Sequence, residues 1–111
     1  MKDEHVFLLL VTLFFVYVVV TYAAQDIITL TQDGWVLYYK PSCSYSVKQL
    51  NSVGWKSSYL NMVNCDEYPY TCQAENIKMY PTWKNGKTGQ AHAGSIEAGE
   101  LVSTLNYSPM P

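Results

Sequence analysis

Trp35-Val36-Leu37-Tyr38-Tyr39, running on into Lys40-Pro41-Ser42-Cys43-Ser44-Tyr45-Ser46, is the stretch that decides the fold. A continuous run of β-formers suits a central strand buried on both faces. Lys40-Pro41-Ser42 ends that strand, because proline has no N–H for the ladder and fixes its own φ. From Cys43 to about Ser52, Tyr45, Val47 and Leu50 recur at near-helical spacing, with Lys48 and Gln49 on another face, until Gly54 closes the segment. A buried strand that turns into a helix at a cysteine holds the sulfur at the helix N-terminus. There, unpaired backbone N–H groups and the helix dipole favour the thiolate. Cys43 is therefore read as a reactive thiol, with a small buried core cysteine as the competing reading.

Downstream, Tyr59 to Val63 is the next expected strand, and Asp66 and Glu67 before Pro69 mark a helix running to about Glu75. Thr82 to Lys84 and Thr88 to Ala93 flank Asn85-Gly86, a hairpin-turn dipeptide. Ser95 is expected to cap a last helix of about ten residues, with Leu101, Val102 and Leu105 on its apolar face. The order from Trp35 is strand, helix, strand, helix, strand, strand, helix. Upstream, Gln25 to Gly34 reads as a polar lead-in whose Ile27 to Leu30 forms an edge strand, ending at the turn Asp33-Gly34.

Before that lie 19 residues without a charge, Val6 to Ala24, long enough as a helix to rise about 28 Å and cross a bilayer. Residues 1–5 form an N-terminal flank in which Lys2 is nearly cancelled by Asp3 and Glu4, which favours an uncleaved anchor over 6–24. The alternative is a cleaved signal peptide and secretion, because Ala23 and Ala24 supply small residues before Gln25. A weak lysine bias, Lys2 before the run and Lys40 as the first basic residue after it, puts residues 25–111 in the lumen or outside, where thiols can be oxidised. Asn106-Tyr107-Ser108 is a glycosylation sequon followed by Pro109.

The whole chain has 111 residues, 49% hydrophobic and 14% charged, with seven lysines, no arginine, nine acids and a formal charge of −2. Such a balance offers no footprint for a phosphate backbone and argues against nucleic-acid binding. Beyond the apolar run about 87 residues remain, enough for one small domain. Three cysteines, His5 and His92 are too scattered for a zinc site, so no metal is expected. Any one pair among Cys43, Cys65 and Cys72 could be bridged.

The segment around Cys43 resembles the active-site turn of the thioredoxin superfamily, with the Lys40-Pro41 flank closest to the glutaredoxin pattern. Ile77-Lys78-Met79-Tyr80-Pro81-Thr82 resembles the loop in which thioredoxins and protein disulfide isomerases carry a cis-proline. Asn85-Gly86-Lys87 and Ala93-Gly94-Ser95-Ile96 through Leu101 resemble the hairpin and final helix of thioredoxin. The resemblance covers about residues 35 to 105 and implies an α/β minimal thioredoxin fold, βαβ-α-ββα, over 35–106, followed by a short tail, 107–111. It implies a cis peptide before Pro81, and substrate contacts from Tyr45, Tyr80, Pro81 and Thr82 beside Cys43. It also implies that Cys65 and Cys72, spaced as in some protein disulfide isomerase domains, form a structural bridge.

Two departures shape the expected chemistry. The position three after Cys43 is Ser46, whose hydroxyl can hydrogen-bond a thiolate but cannot resolve a mixed disulfide. The buried acid six residues before the nucleophile of thioredoxin is replaced by Leu37. A monothiol glutaredoxin, with an iron–sulfur cluster and glutathione, shares Cys-x-x-Ser but has Gly where this chain has Ser44. No cofactor is expected. The resemblance thus implies a membrane-anchored thiol–disulfide exchange protein acting through Cys43, with Ser46 beside it, on thiols or disulfides of client proteins. The alternative is a redox-inactive peptide-binding or scaffold module on the same fold.

Overall fold

A computed structural model describes residues 2–105, so the sequon at 106–108 and the tail at 107–111 lie outside the described residues. Five α-helices and a four-stranded mixed sheet make up the described chain, with two short 3-10 turns. Helix α1, Lys2–Ala23, is exposed along its apolar length and is long and apolar enough to cross a membrane or to act as a signal sequence. Its projection accounts for the elongated 61 × 36 × 22 Å envelope, since 22 helical residues rise about 33 Å.

Residues 25–34 depart from the expected edge strand. Gln25–Gln32 is a helix, α2, which starts one residue after α1; at the joint Ala24 N–H donates to Val20 O (3.1 Å) and Ile28 N–H to Ala24 O (3.0 Å). Ile27 and Leu30 are both fully buried, and their spacing of three puts them on one helical face toward the core. Asp26 in the first turn suits the positive end of the dipole. Four apolar or β-branched residues in a row fit a strand or a helix equally; packing against the domain selects the helix. Asp33-Gly34 makes the turn into the sheet, with Gly34 at φ +102°. A side chain there would collide with Lys87 Cγ at 2.9 Å as well as adopt an unfavourable backbone.

Strand β1, Trp35–Tyr39, is central, as expected: the sheet order is β2-β1-β3-β4, with β2 Asn61–Asn64, β3 Thr82–Asn85 and β4 Ala91–Ala93. β1 pairs parallel with β2 (Leu37 opposite Met62) and antiparallel with β3 (Leu37 opposite Trp83), and β3 pairs antiparallel with β4 (Trp83 opposite His92). Tyr59 belongs to the 3-10 turn Gly54–Tyr59 instead of β2. Thr88 to Gln90 stay outside β4, because Asn85 Oδ1 accepts from the N–H groups of Lys87 and Thr88 and opens a longer loop than a two-residue hairpin.

Helix α3, Ser44–Val53, begins where expected but is rotated from the expected phase. Its core face is Ser46, Gln49 and Val53, while Tyr45 and Val47 are exposed. Gln49 is drawn inward by three hydrogen bonds: Nε2 donates to Ile96 O (2.8 Å), and Oε1 accepts from Ile96 N–H (2.6 Å) and Trp83 Nε1 (3.1 Å). Helix α4, Pro69–Ala74, carries buried Cys72. The last helix is shorter than expected within the described residues. Ser95 does not cap it; a 3-10 turn at Ala98–Glu100 leads into α5, Leu101–Leu105, with Leu101 and Leu105 buried and Val102 exposed. One core unites α2, β1, α3, β3 and α5; a smaller one holds Tyr38, Cys65, Cys72 and Ile77.

Candidate functional site

Cys43 is the N-cap residue of α3, with extended backbone (φ −101°, ψ 126°) and no side-chain capping bond. The turn that delivers it from β1 is closed by Cys43 N–H donating to Lys40 O (2.9 Å). Cys43 is a half-buried free thiol, and its S–H points at Tyr80 O, 3.7 Å away. The Tyr80–Pro81 peptide is cis. The loop before β3 therefore lies directly against the sulfur, 37 residues along the chain from it.

Of the residues singled out from sequence, Tyr80 is brought to Cys43, and Pro81 follows as a buried support whose carbonyl accepts from Gly94 N–H (2.8 Å). Thr82 opens β3 but is buried, its hydroxyl donated to Met79 O at 2.6 Å, so its side chain is spent on the loop itself. Tyr45 stands exposed (66%) on the first turn of α3, free for an external contact. Ser46 lies in the first turn of α3, three residues after Cys43. It is fully buried, and its hydroxyl accepts from Lys40 N–H at 3.0 Å, because the N–H at the end of β1 has left the ladder and needs a partner. Leu37 is fully buried in the core. His92 sits half-buried on β4, and among the described residues no group of three His, Cys, Asp or Glu side chains gathers as a metal site would need.

Cys65 and Cys72 are disulfide-bonded, joining the end of β2 to α4. Cys65 N–H donates to Tyr39 O (2.7 Å), so this bridge begins at the same end of the sheet as the Cys43 turn. The next residue, Asp66, has the sequence pattern of a helix-start acid. Its carboxylate instead grips the turn, accepting from Ser42 N–H (3.0 Å) and Ser42 Oγ (3.1 Å). Those two bonds, the backbone one foremost, hold the Asp66 carboxyl below its ordinary 3.8, with nearby Lys40 adding and desolvation opposing. Lys40 also places its ammonium 4.9 Å from the Tyr80 ring centroid. No local pattern marks Asp66 or Lys40 for these roles, since each partner is more than 20 residues distant.

Tyr45, two residues from the thiol, and Met79, beside Tyr80 in the chain, are both exposed. On the other flank of the Tyr80 loop, Ile77, Met79, Thr82, Lys84 and Ala91 line a shallow cavity of about 380 Å³. Lys84 is fixed there by Glu75 (3.0 Å to the carboxylate and 2.8 Å to the carbonyl). Burial, reinforced by the Glu75 charge against Lys84, pushes the Tyr38 hydroxyl above 10. The site thus presents one uncrosslinked thiol at a helix start, a loop carbonyl against it and the exposed Tyr45 two residues along. No family model matches the chain, and no curated protein matches it significantly in sequence.

Proposed function

We propose that the domain has the thioredoxin fold and that the chain is a membrane-anchored thiol–disulfide exchange protein acting through Cys43 on client proteins. The observation that carries this reading is the convergence of the free Cys43 thiol with the Tyr80–Pro81 loop, two segments brought together only by folding. The sheet order and the Cys65–Cys72 bridge are also what that family resemblance implies. The exposed Tyr45 and Met79 offer apolar contact to an extended peptide.

Chemically, the Cys43 thiolate attacks one sulfur of a client disulfide. A Cys43–client disulfide forms, and the other client sulfur leaves as a thiolate. That thiolate can attack the mixed disulfide in turn and re-form the original bond, or a third client thiolate can attack it and leave a rearranged one; in both cases Cys43 departs as a thiolate and no net electrons are consumed. Ser46, buried and bonded to Lys40 N–H, takes no part in release. The same commitment of Ser46 favours the second reading, a redox-inactive peptide-binding module. Trapping under non-reducing conditions separates the two. The exchange reading expects disulfide-linked adducts with an unfolded, disulfide-containing protein, lost in Cys43→Ser and retained in Ser46→Ala. Adducts absent from the wild type, with peptide binding equal in wild type and Cys43→Ser, would support the binding module.

A further inference from the structure

Of the three tryptophans, one stands out by its exposure. Trp55 is 55% exposed, in the 3-10 turn Gly54–Tyr59, whereas Trp35 and Trp83 are buried at 3% and 0%. Burial in the domain does not account for its indole. The turn packs alongside α2 and in register with it. Near its start Lys56 Nζ lies 3.7 Å from Asp26 in the first turn of α2, and at its end Tyr59 O accepts from Thr31 Oγ1 (2.8 Å) near the last turn. Trp55 is therefore at the level of the first turn of α2. That level is where α1 ends, because Ala24 alone separates α1 from α2, its N–H bonded back to Val20 O and its carbonyl accepting from Ile28 N–H. Tyr22, in the last turn of α1, is 83% exposed.

We infer that the Gly54–Tyr59 turn is a second membrane contact, with Trp55 seated at lipid headgroup depth beside the end of α1; this rests on the reading of α1 as a bilayer-spanning anchor. An indole is suited to that depth, with its ring among the upper acyl chains and its N–H toward water. Lys56 and Asp26, paired beside it, keep their charges in the polar layer. Two points of attachment fix how the domain rotates about α1, and so which way Cys43 faces over the bilayer.

The full chain, reconstituted in phosphatidylcholine vesicles, provides the test. Tryptophan is absent from α1, so selective indole excitation reports on Trp35, Trp55 and Trp83 alone. Lipid carrying bromine at shallow acyl positions should remove the Trp55 share of the emission, and Trp55→Phe should show no bromine-dependent loss while folding normally. Wild-type emission unchanged by bromolipid but lowered by aqueous acrylamide to the Trp55→Phe level, in a chain that resists carbonate extraction, would overturn the second contact and leave the anchor standing. Release of the chain by carbonate would overturn both.

Discussion

The inward face and the N-terminus of helix α3 are built on different principles. Its inward face, centred on Gln49, is locked by hydrogen bonds to Ile96 and Trp83 in a fully buried environment. Its N-terminus, bearing Cys43, is positioned from outside by an Asp66 tether to Ser42 and a loop carbonyl, in partial contact with solvent. A buried polar network costs a great deal to disrupt because its orphaned groups have no water to turn to; an exposed tether can be exchanged for water at little cost. The molecule thus separates what holds the fold from what aims the thiol, and the two should be separable by mutation.

Gln49→Leu tests this most severely. It keeps the volume nearly constant but leaves Trp83 Nε1 and both backbone groups of Ile96 without a partner. We expect a loss of about 3 kcal/mol or more in urea unfolding. The outcome that would erase the contrast is a loss no larger than a surface substitution produces. Next is the paired change Cys65→Ser with Cys72→Ser. Closing a loop of sequence separation 7 restrains the unfolded chain, so its removal is expected to cost about 2 to 3 kcal/mol in the same assay, with alkylation of Cys43 still observed in the folded state.

A smaller and more local effect is expected of Asp66→Ala. Amide exchange at Ser42, followed by NMR, should accelerate with little change in the urea midpoint; unchanged exchange would mean that the tether does not restrain the turn. The smallest effect is the pH response of that tether. Its folded-state pKa is depressed, so its contribution is present above the ordinary 3.8 and declines as pH falls through the lower folded value. Ser42 protection in the wild type should therefore hold down to that range and then diminish, whereas Asp66→Ala should show no carboxylate-linked step at Ser42.

Much of this arrangement was legible in the residues. The WVLYY run and Pro41 marked a central strand and its end, and Cys43 at the junction marked a thiol at a helix start, because those signals are local. Strand order along the chain from Trp35 was legible for the same reason. The phase of α3 was not: Tyr45 and Val47 look like core residues, yet the hydrogen-bonding demands of Trp83 and Ile96 turn Gln49 inward. Ile27 to Leu30 fitted a strand by composition and became a helix because Ile27 and Leu30 must share one face against the core. Asp66 carried no local sign of its role, since its partner Ser42 lies 24 residues away.

By itself the sequence determined the apolar N-terminal helix, the buried central strand and the sulfur at its end, each dictated by hydrophobic patterning, proline and backbone propensity within a few residues. The tertiary structure alone decided which faces of α2 and α3 turn inward, that the Ser46 hydroxyl accepts from Lys40 N–H, and that Asp66 grips the Cys43 turn. Those choices depend on satisfying buried polar groups and filling one shared core, and such demands arise only when segments distant in the chain are packed together.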